Sequence, residues 1–302
     1  MPFAQTLALF STLKLRTPAR PFSLAPSFVR PVLQRFRRSL APRPQWRYTL
    51  ALSSDTGQVR ANNEDAVRAA STPPWTVAVL ADGMGGYNAG EVASALAVES
   101  ITQSLAQSAR QPAVQASPAR TTAAHRALER SLQQANAAVC AHASSHPECR
   151  NMGTTVVAAV LTLDTLVVAH LGDSRAYLWR CGTLRQLTQD HSWLQEQIDA
   201  GRLSAEAAAR STRGHLITRA LGVAPQARPT LREVRLEAGD RVLLCSDGLS
   251  NLLSAAAIAA LLATALPLET QAQRLVDKAN AAGGHDNISV ILIAVEAPPA
   301  RG

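Results

Sequence analysis

Seven short apolar runs, interrupted by paired helical segments, constrain the fold of this chain more than any other feature. They are RYTLALSS, WTVAVLAD, TTVVAAVLTL, TLVVAHLG, RAYLWR, RVLLCS and NISVILIAV, β-branched or apolar and bounded by Gly, Asp, Asn or Ser. Several are apolar at nearly every position, which predicts strands covered on both faces. Residues ~88–109 and ~121–143 instead carry apolar residues at three- and four-residue spacing, which predicts helices, with Asn88 and Thr121 as caps. The stretch ~110–120, with two prolines, joins them as a helix hairpin. A second pair, rich in alanine and leucine, is expected over ~254–265 and ~268–282, the latter opened by Pro267 and Glu269 and ended by Gly283. This order is not a strand–helix alternation, so a doubly wound parallel sheet is disfavoured. Two packed sheets with helix pairs on their outer faces, an α+β fold, fit better.

The turns that bound these strands hold acids. Glu64 and Asp65 lie in RANNEDAV, Asp82 in VLADGMGG, Asp173 in HLGDSR, Asp247 in LLCSDGL and Asp286 in GGHDN. A carboxylate at a strand end is held rigidly but stays near the surface. Several held together would repel by about 4 kcal/mol per close pair at an effective dielectric of ~20. Cations are the usual remedy, and hard divalent ions such as magnesium or manganese take oxygen ligands of this kind. The acids therefore predict a carboxylate-bridged metal centre.

Charge is uneven along the 302 residues. The first fifty carry nine arginines and lysines and no acid, while the whole chain is +8, so the remainder stands at −1. The high pI is thus no sign of nucleic-acid binding by the folded part. Residues 1–45, rich in Arg, Pro and Ser, are expected to form a basic disordered extension, with a transit-like or membrane-surface segment and an upstream start codon as the other readings. No apolar stretch is long and charge-free enough to span a bilayer. Cys140, Cys149, Cys181 and Cys245 form no C-x-x-C pair, which argues against structural zinc and for reduced thiols in a cytoplasmic protein. Cys245, in an apolar run, is expected to pack as a small hydrophobe.

Taken singly, the motifs are weak. Asn-Asn in ANNED and Asp-Gly in DGMGG and SDGL are ordinary turn signals. Arg60 reads as a surface arginine, or as a guanidinium aimed past the acids whose planar fork suits a phosphate dianion. Arg175 could form a salt bridge, and His191 in LTQDH reads as a solvated histidine or as a proton-transfer group. The polar, partly helical stretch from Asp190 to Leu221 interrupts the strand series, as insertions over active sites do.

Together the motifs are specific. SDTGQVRANNEDAV (54–67), ADGMGG (81–86), AGEVAS (89–94), MGTT (152–155), GDSR (172–175), LTQDH (187–191), ITRALG (217–222), DRVLLCSDGLS (240–250) and GGHDNISVI (283–291) resemble, in order, the metal-dependent serine/threonine protein phosphatases of type two C, in their bacterial branch. The likeness runs over residues 47 to 296.

This resemblance implies a four-layer α/β/β/α sandwich, two antiparallel sheets flanked by antiparallel helix pairs, over residues 46–298 with a flap at about 190–220. It implies hydrolysis of phosphoserine and phosphothreonine by water activated between two Mg2+ or Mn2+ ions, without a phosphoenzyme. By motif position Asp82 bridges both ions, Asp247 and Asp286 hold one, and Glu64 with the Gly83 carbonyl holds the other. Asp65 orients waters, Asp173 joins Asp247 at a third, weaker metal, Arg60 binds the substrate phosphate, and Asn287 supports by hydrogen bonding. Many eukaryotic relatives carry a histidine where this chain has Met84, so the general acid stays open between a water near Asp173 and His191. The implied partners are phosphoprotein substrates and an opposing serine/threonine kinase. A cytoplasmic monomer is expected, with membrane contact only through the tail. A docking module without catalysis is the alternative.

Overall fold

The computed structural model describes residues 46–86, 89–115, 119–208, 211 and 216–296. All of them fall within a unit spanning Pro44–Gly302. The basic extension expected over 1–45, and the cap expected at Asn88, lie outside the described residues.

Among the described residues, eleven strands run in chain order: β1 (Arg47–Asp55), β2 (Asp65–Thr72), β3 (Trp75–Met84), β4 (Gly153–Thr154), β5 (Val156–Thr162), β6 (Thr165–Leu171), β7 (Arg175–Arg180), β8 (Thr183–Gln186), β9 (Thr230–Arg235), β10 (Arg241–Cys245) and β11 (Ile288–Glu296). The helices are α1 (Ala89–Ala109), α2 (Pro112–Gln115), α3 (Arg120–Ser145), α4 (Trp193–Asp199), α5 (Ala205–Ala208), α6 (Asp247–Ser250), α7 (Ala255–Leu262) and α8 (Leu268–Ala281). One sheet has the order β1-β11-β10-β7-β8. The other has the order β2-β3-β5-β6-β9, with β4 added against the end of β3. Every pairing is antiparallel.

Strand periodicity explains the layers. Successive side chains point to opposite faces, so a strand apolar at every position feeds two cores. In β3, Ala78 and Leu80 join the core between the sheets, while Val77 and Val79 face α1 and α3. In β11, Ile291 and Ile293 enter the inter-sheet core, while Val290 and Leu292 face α7 and α8. Three apolar layers result, which is the sandwich the resemblance implies. Cys245 is fully buried in the outer layer beneath α7 and α8, packing as a small hydrophobe. All four cysteines are free thiols.

The helical expectations hold with adjustments at the ends. α3 begins one residue before Thr121, and its N-cap is Ala119, which offers no side-chain acceptor. Besides the two-residue β4, three strands are not expected from the sequence: β2, β8 and β9. Each is a sheet edge and is largely exposed or half-buried along its length. The stretch from Asp190 carries α4, capped by Ser192 Oγ accepting from Gln195 N–H, and then α5. Its base is closed by Trp193 N–H donating to Leu216 O at 2.8 Å and Thr218 N–H donating to His191 O at 2.8 Å.

Candidate metal centre

The acids arrive at one rim of the sandwich from both sheets. Asp65 opens β2 and stands directly opposite Asp82 on β3, a like-charge cross-strand pair that costs stability unless something compensates it. Asp173 follows β6, Asp247 follows β10, and Asp286 precedes β11. Glu64 comes from the β1–β2 loop.

The local sequence fixes each backbone. Asp82 is clamped by the MGTT segment: Thr155 N–H donates to Asp82 O at 2.9 Å, Thr154 Oγ1 donates to the same oxygen at 2.8 Å, and Asp82 N–H donates to Thr155 Oγ1 at 3.2 Å. Thr155 Oγ1 also meets Ser174 Oγ at 2.7 Å, tying the Asp173 turn to Asp82. Gly83 has to be glycine, because a Cβ there would collide with Gly90 O and lie 2.7 Å from Glu64 O. Gly90 presents its bare Cα to Glu64, whose Cδ would be 2.7 Å from an added Cβ. Asn287 joins the two acidic loops. Its Oδ1 accepts from Glu64 N–H at 2.7 Å, and its Nδ2 donates to Thr56 O at 2.8 Å and Asn62 O at 2.9 Å.

Burial and mutual repulsion raise the proton affinity of these acids. The Asp82 carboxyl is held well above the usual range by burial, then by Asp65, Asp247, Asp173 and Asp286. Burial pushes Asp173 up to about 7, with Asp247 and Asp190 adding to it. Burial likewise takes Asp65 to about 7, although the Ser289 and Ser246 hydroxyls pull the other way. Those hydroxyls are engaged elsewhere, Ser246 Oγ donating to Asn287 O and Ser289 Oγ meeting Ser54 Oγ. Asp247 is raised by burial and by Asp286. Glu64 is raised by burial, while Arg60 works against the shift.

The donor set fits hard divalent cations. Both carboxylate oxygens of Asp65 and Oδ1 of Asp173 are buried without a hydrogen-bond partner, which is costly for groups that would otherwise be solvated. The cage is not tight, however. Among the described residues, no three His, Cys, Asp or Glu side chains stand ready-arranged around one ion. Several oxygens lean on protein donors instead. Asn251 Nδ2 donates to Asp247 Oδ2 at 3.1 Å, and Asn287 N–H donates to Asp286 Oδ1 at 2.9 Å.

Two expectations change. Arg60 is not aimed past the acids: its Nη2 donates to Asp286 Oδ2 at 2.8 Å. A guanidinium beside uncompensated carboxylates pairs with the nearest one. His191 is not solvated either. It is buried and stacked on His170, with ring centroids 4.5 Å apart and planes 6° from parallel. Its Nδ1 accepts from Gly172 N–H at 3.2 Å, so Nε2 carries the proton and donates to Thr230 Oγ1 at 2.9 Å. Burial, His170 and Arg219 push its pKa down to about 3. With both nitrogens committed and no charge to give, His191 braces the base of the insertion and is no proton donor. Arg175 does form the salt bridge considered for it, reaching Asp190 through Nε at 2.9 Å and Nη2 at 2.7 Å. Thr154, Thr155, Ser246 and Gly90, which hold the acids in place, are functional residues that the sequence reading misses. The MGTT, DRVLLCSDGLS and AGEVAS strings are their only signal.

Known proteins match this chain. The family model described as Protein phosphatase 2C matches residues 57–281. The serine/threonine phosphatase stp of Listeria welshimeri is 35% identical over 243 residues, 80% of this chain and 93% of that protein. The serine/threonine protein phosphatase PstP of Mycobacterium tuberculosis is 38% identical over 243 residues, 80% of this chain and 44% of that protein. Among solved structures, the S. agalactiae serine/threonine phosphatase superposes with a TM-score of 0.76 at 34% identity, covering 83% of this chain and 100% of that one. The catalytic domain of PstP in complex with two manganese ions gives a TM-score of 0.69 at 37% identity, covering 83% and 100%.

Proposed function

The chain belongs to the protein phosphatase 2C family, and we propose that it hydrolyses phosphoserine and phosphothreonine in proteins at the rim where its strand-end acids meet. One observation carries the reading. Carboxylates from both sheets gather at that rim, with both oxygens of Asp65 and Oδ1 of Asp173 buried and left without protein donors, an arrangement that costs the fold stability and that divalent cations relieve. No motif position among these acids is degraded, so the alternative of a docking module without catalysis has no support.

Two Mg2+ or Mn2+ ions would be held by Asp82 between them, by Asp247 and Asp286 on one side, and by Glu64 and the Gly83 carbonyl on the other. Asp173 with Asp247 would serve a third, weaker ion. When bound, such ions acidify water and offset phosphoryl charge. The chain's own residues do the rest. Asp65 accepts hydrogen bonds from water at the rim and fixes its orientation. The Arg60 side chain is half exposed and exchanges Asp286 for the phosphate dianion, a stronger charge-assisted partner. Asn287 keeps the Glu64 loop in register. The phosphorus is attacked by water directly. Cys245, beside Asp247 in sequence, is buried with its thiol pushed up to about 12, so it is unsuited to covalent catalysis. The insertion from Asp190 docks the protein substrate, and the activity opposes a serine/threonine kinase.

The test is hydrolysis of a phosphothreonine peptide by the full chain. Turnover should require Mn2+ or Mg2+ and stop on chelation. Wild-type-like turnover by Asp82→Asn would contradict the assignment.

A further inference from the structure

We infer that Asp55 and Asn280 form a positioning pair that sets the Asp286 turn against the Arg60–Glu64 loop. The inference rests on the phosphatase reading above and adds two residues to it. Asp55 ends β1, and Asn280 lies in the last turn of α8, outside the acidic rim. Asp55 Oδ1 accepts from Gly57 N–H at 2.8 Å and from Asn280 Nδ2 at 3.0 Å. One oxygen thus ties a tight turn on β1 to the helix that covers it.

That turn bears directly on the acid-bearing loop. Gly57 has φ +84°, and a Cβ there would collide with the carbonyl of Asp286 and lie 2.8 Å from that of Gly284. Gln58 N–H donates to Gly284 O at 2.7 Å. Asn287 Nδ2 then reaches Thr56 O and Asn62 O, and its Oδ1 receives Glu64 N–H. A continuous chain of contacts therefore runs from Asn280 through Asp55 and residues 56–58 to Asp286, and on to Glu64. Asn280 Oδ1 is buried without a partner, and an added Cβ on Gly284 would lie 2.6 Å from it. The amide is therefore oriented by its donation to Asp55 alone.

Partners of ligand side chains and loops commonly alter metal affinity 10–100-fold when removed. The probe is Mn2+ alone, with binding by the full chain read from the electron paramagnetic resonance signal of the free ion. Asp55→Ala and Asn280→Ala should each raise the Mn2+ dissociation constant about tenfold. The loss of p-nitrophenyl phosphate turnover should then be recovered at saturating Mn2+. Asp55→Asn keeps the accepting oxygen and should stay near wild type. The double alanine variant should be no worse than the weaker single one, because both changes break the same chain. If Asp55→Ala does not fold, Asn280→Ala and Asn280→Ser read the same chain from the helix side. Unchanged Mn2+ affinity in variants whose only defect is a lower Tm would overturn the inference. A wild-type chain that neither binds Mn2+ nor hydrolyses p-nitrophenyl phosphate would instead overturn the phosphatase reading itself.

Discussion

The two ends of β10 treat a carboxylate in opposite ways. Asp240, just before the strand, is 1% exposed and fully partnered. Arg180 donates to it through Nε at 2.7 Å and Nη2 at 2.6 Å, and Glu237 N–H donates to its Oδ2 at 2.8 Å. Asp247, just after the strand, faces other acids, and burial together with Asp286 raises its pKa. The first end neutralises a buried charge with a matched cation, which is how proteins keep such charges for structure. The second end accumulates like charges that the chain itself does not neutralise. Fold stability alone does not select for that arrangement, and clusters of acids with raised proton affinity gather at functional sites.

Breaking each end should have a different signature. At the acidic end, Asp82→Asn or Asp247→Asn should lower phosphopeptide turnover by about 10³-fold or more, as removal of a central electrostatic group does. Urea unfolding of the same metal-free variants should show unchanged or slightly increased stability, because a repulsion is relieved. At the paired end, Asp240→Ala leaves Arg180 without its buried partner. It should cost about 2 kcal/mol in urea unfolding through the lost charge-assisted hydrogen bonds, with kcat at saturating Mn2+ unchanged at a temperature where the variant is folded. Arg60→Ala should raise KM for a phosphopeptide about tenfold with a smaller change in kcat, consistent with the loss of one charge-assisted phosphate contact.

The smallest effect sharpens the comparison by pH. In the fold, Asp65 and Asp173 keep their protons up to about 7, whereas in the unfolded chain such groups release them near 4. The folded state then binds more protons across that window, so stability is lost as pH rises from ~4 to ~7. In chelator, Tm should fall by a few degrees between pH 5 and pH 8, and Mn2+ should reverse the trend. Asp82→Asn removes one of the acids that raise one another's proton affinity, so it should flatten this slope.

Much of this was readable before the structure, for a physical reason. β3, β5, β6, β10 and β11 are buried on both faces, so their apolar runs had no exposed positions to blur them. β1 is an edge, but its alternating burial left a recognisable period. β2, β8 and β9 are edges with little burial. Sequences such as TLRQ and TLREVR satisfy a neighbour's backbone without an apolar signature. The acids were legible because a carboxylate in a turn at a strand end, as in Asp82-Gly83 and Asp247-Gly248, is a local signal. Their supports were not. The grip of Thr154 and Thr155 on Asp82 spans more than seventy residues. The stacking of His191 on His170 likewise depends on β6 passing beside the base of the insertion. No local pattern encodes which distant groups will claim a histidine's two nitrogens or an arginine's fork.

The division of the acids between the sheets gives the inter-sheet core a second role. Asp65 and Asp82 ride on one sheet, Asp247 and Asp286 flank strands of the other, and Asp173 sits in the turn that joins β6 of the first to β7 of the second. The side chains between them, Leu80 and Leu244 among them, therefore act as a shim. Their bulk sets the jaw width at the rim, so trimming or enlarging that layer would respace the acids without replacing any of them.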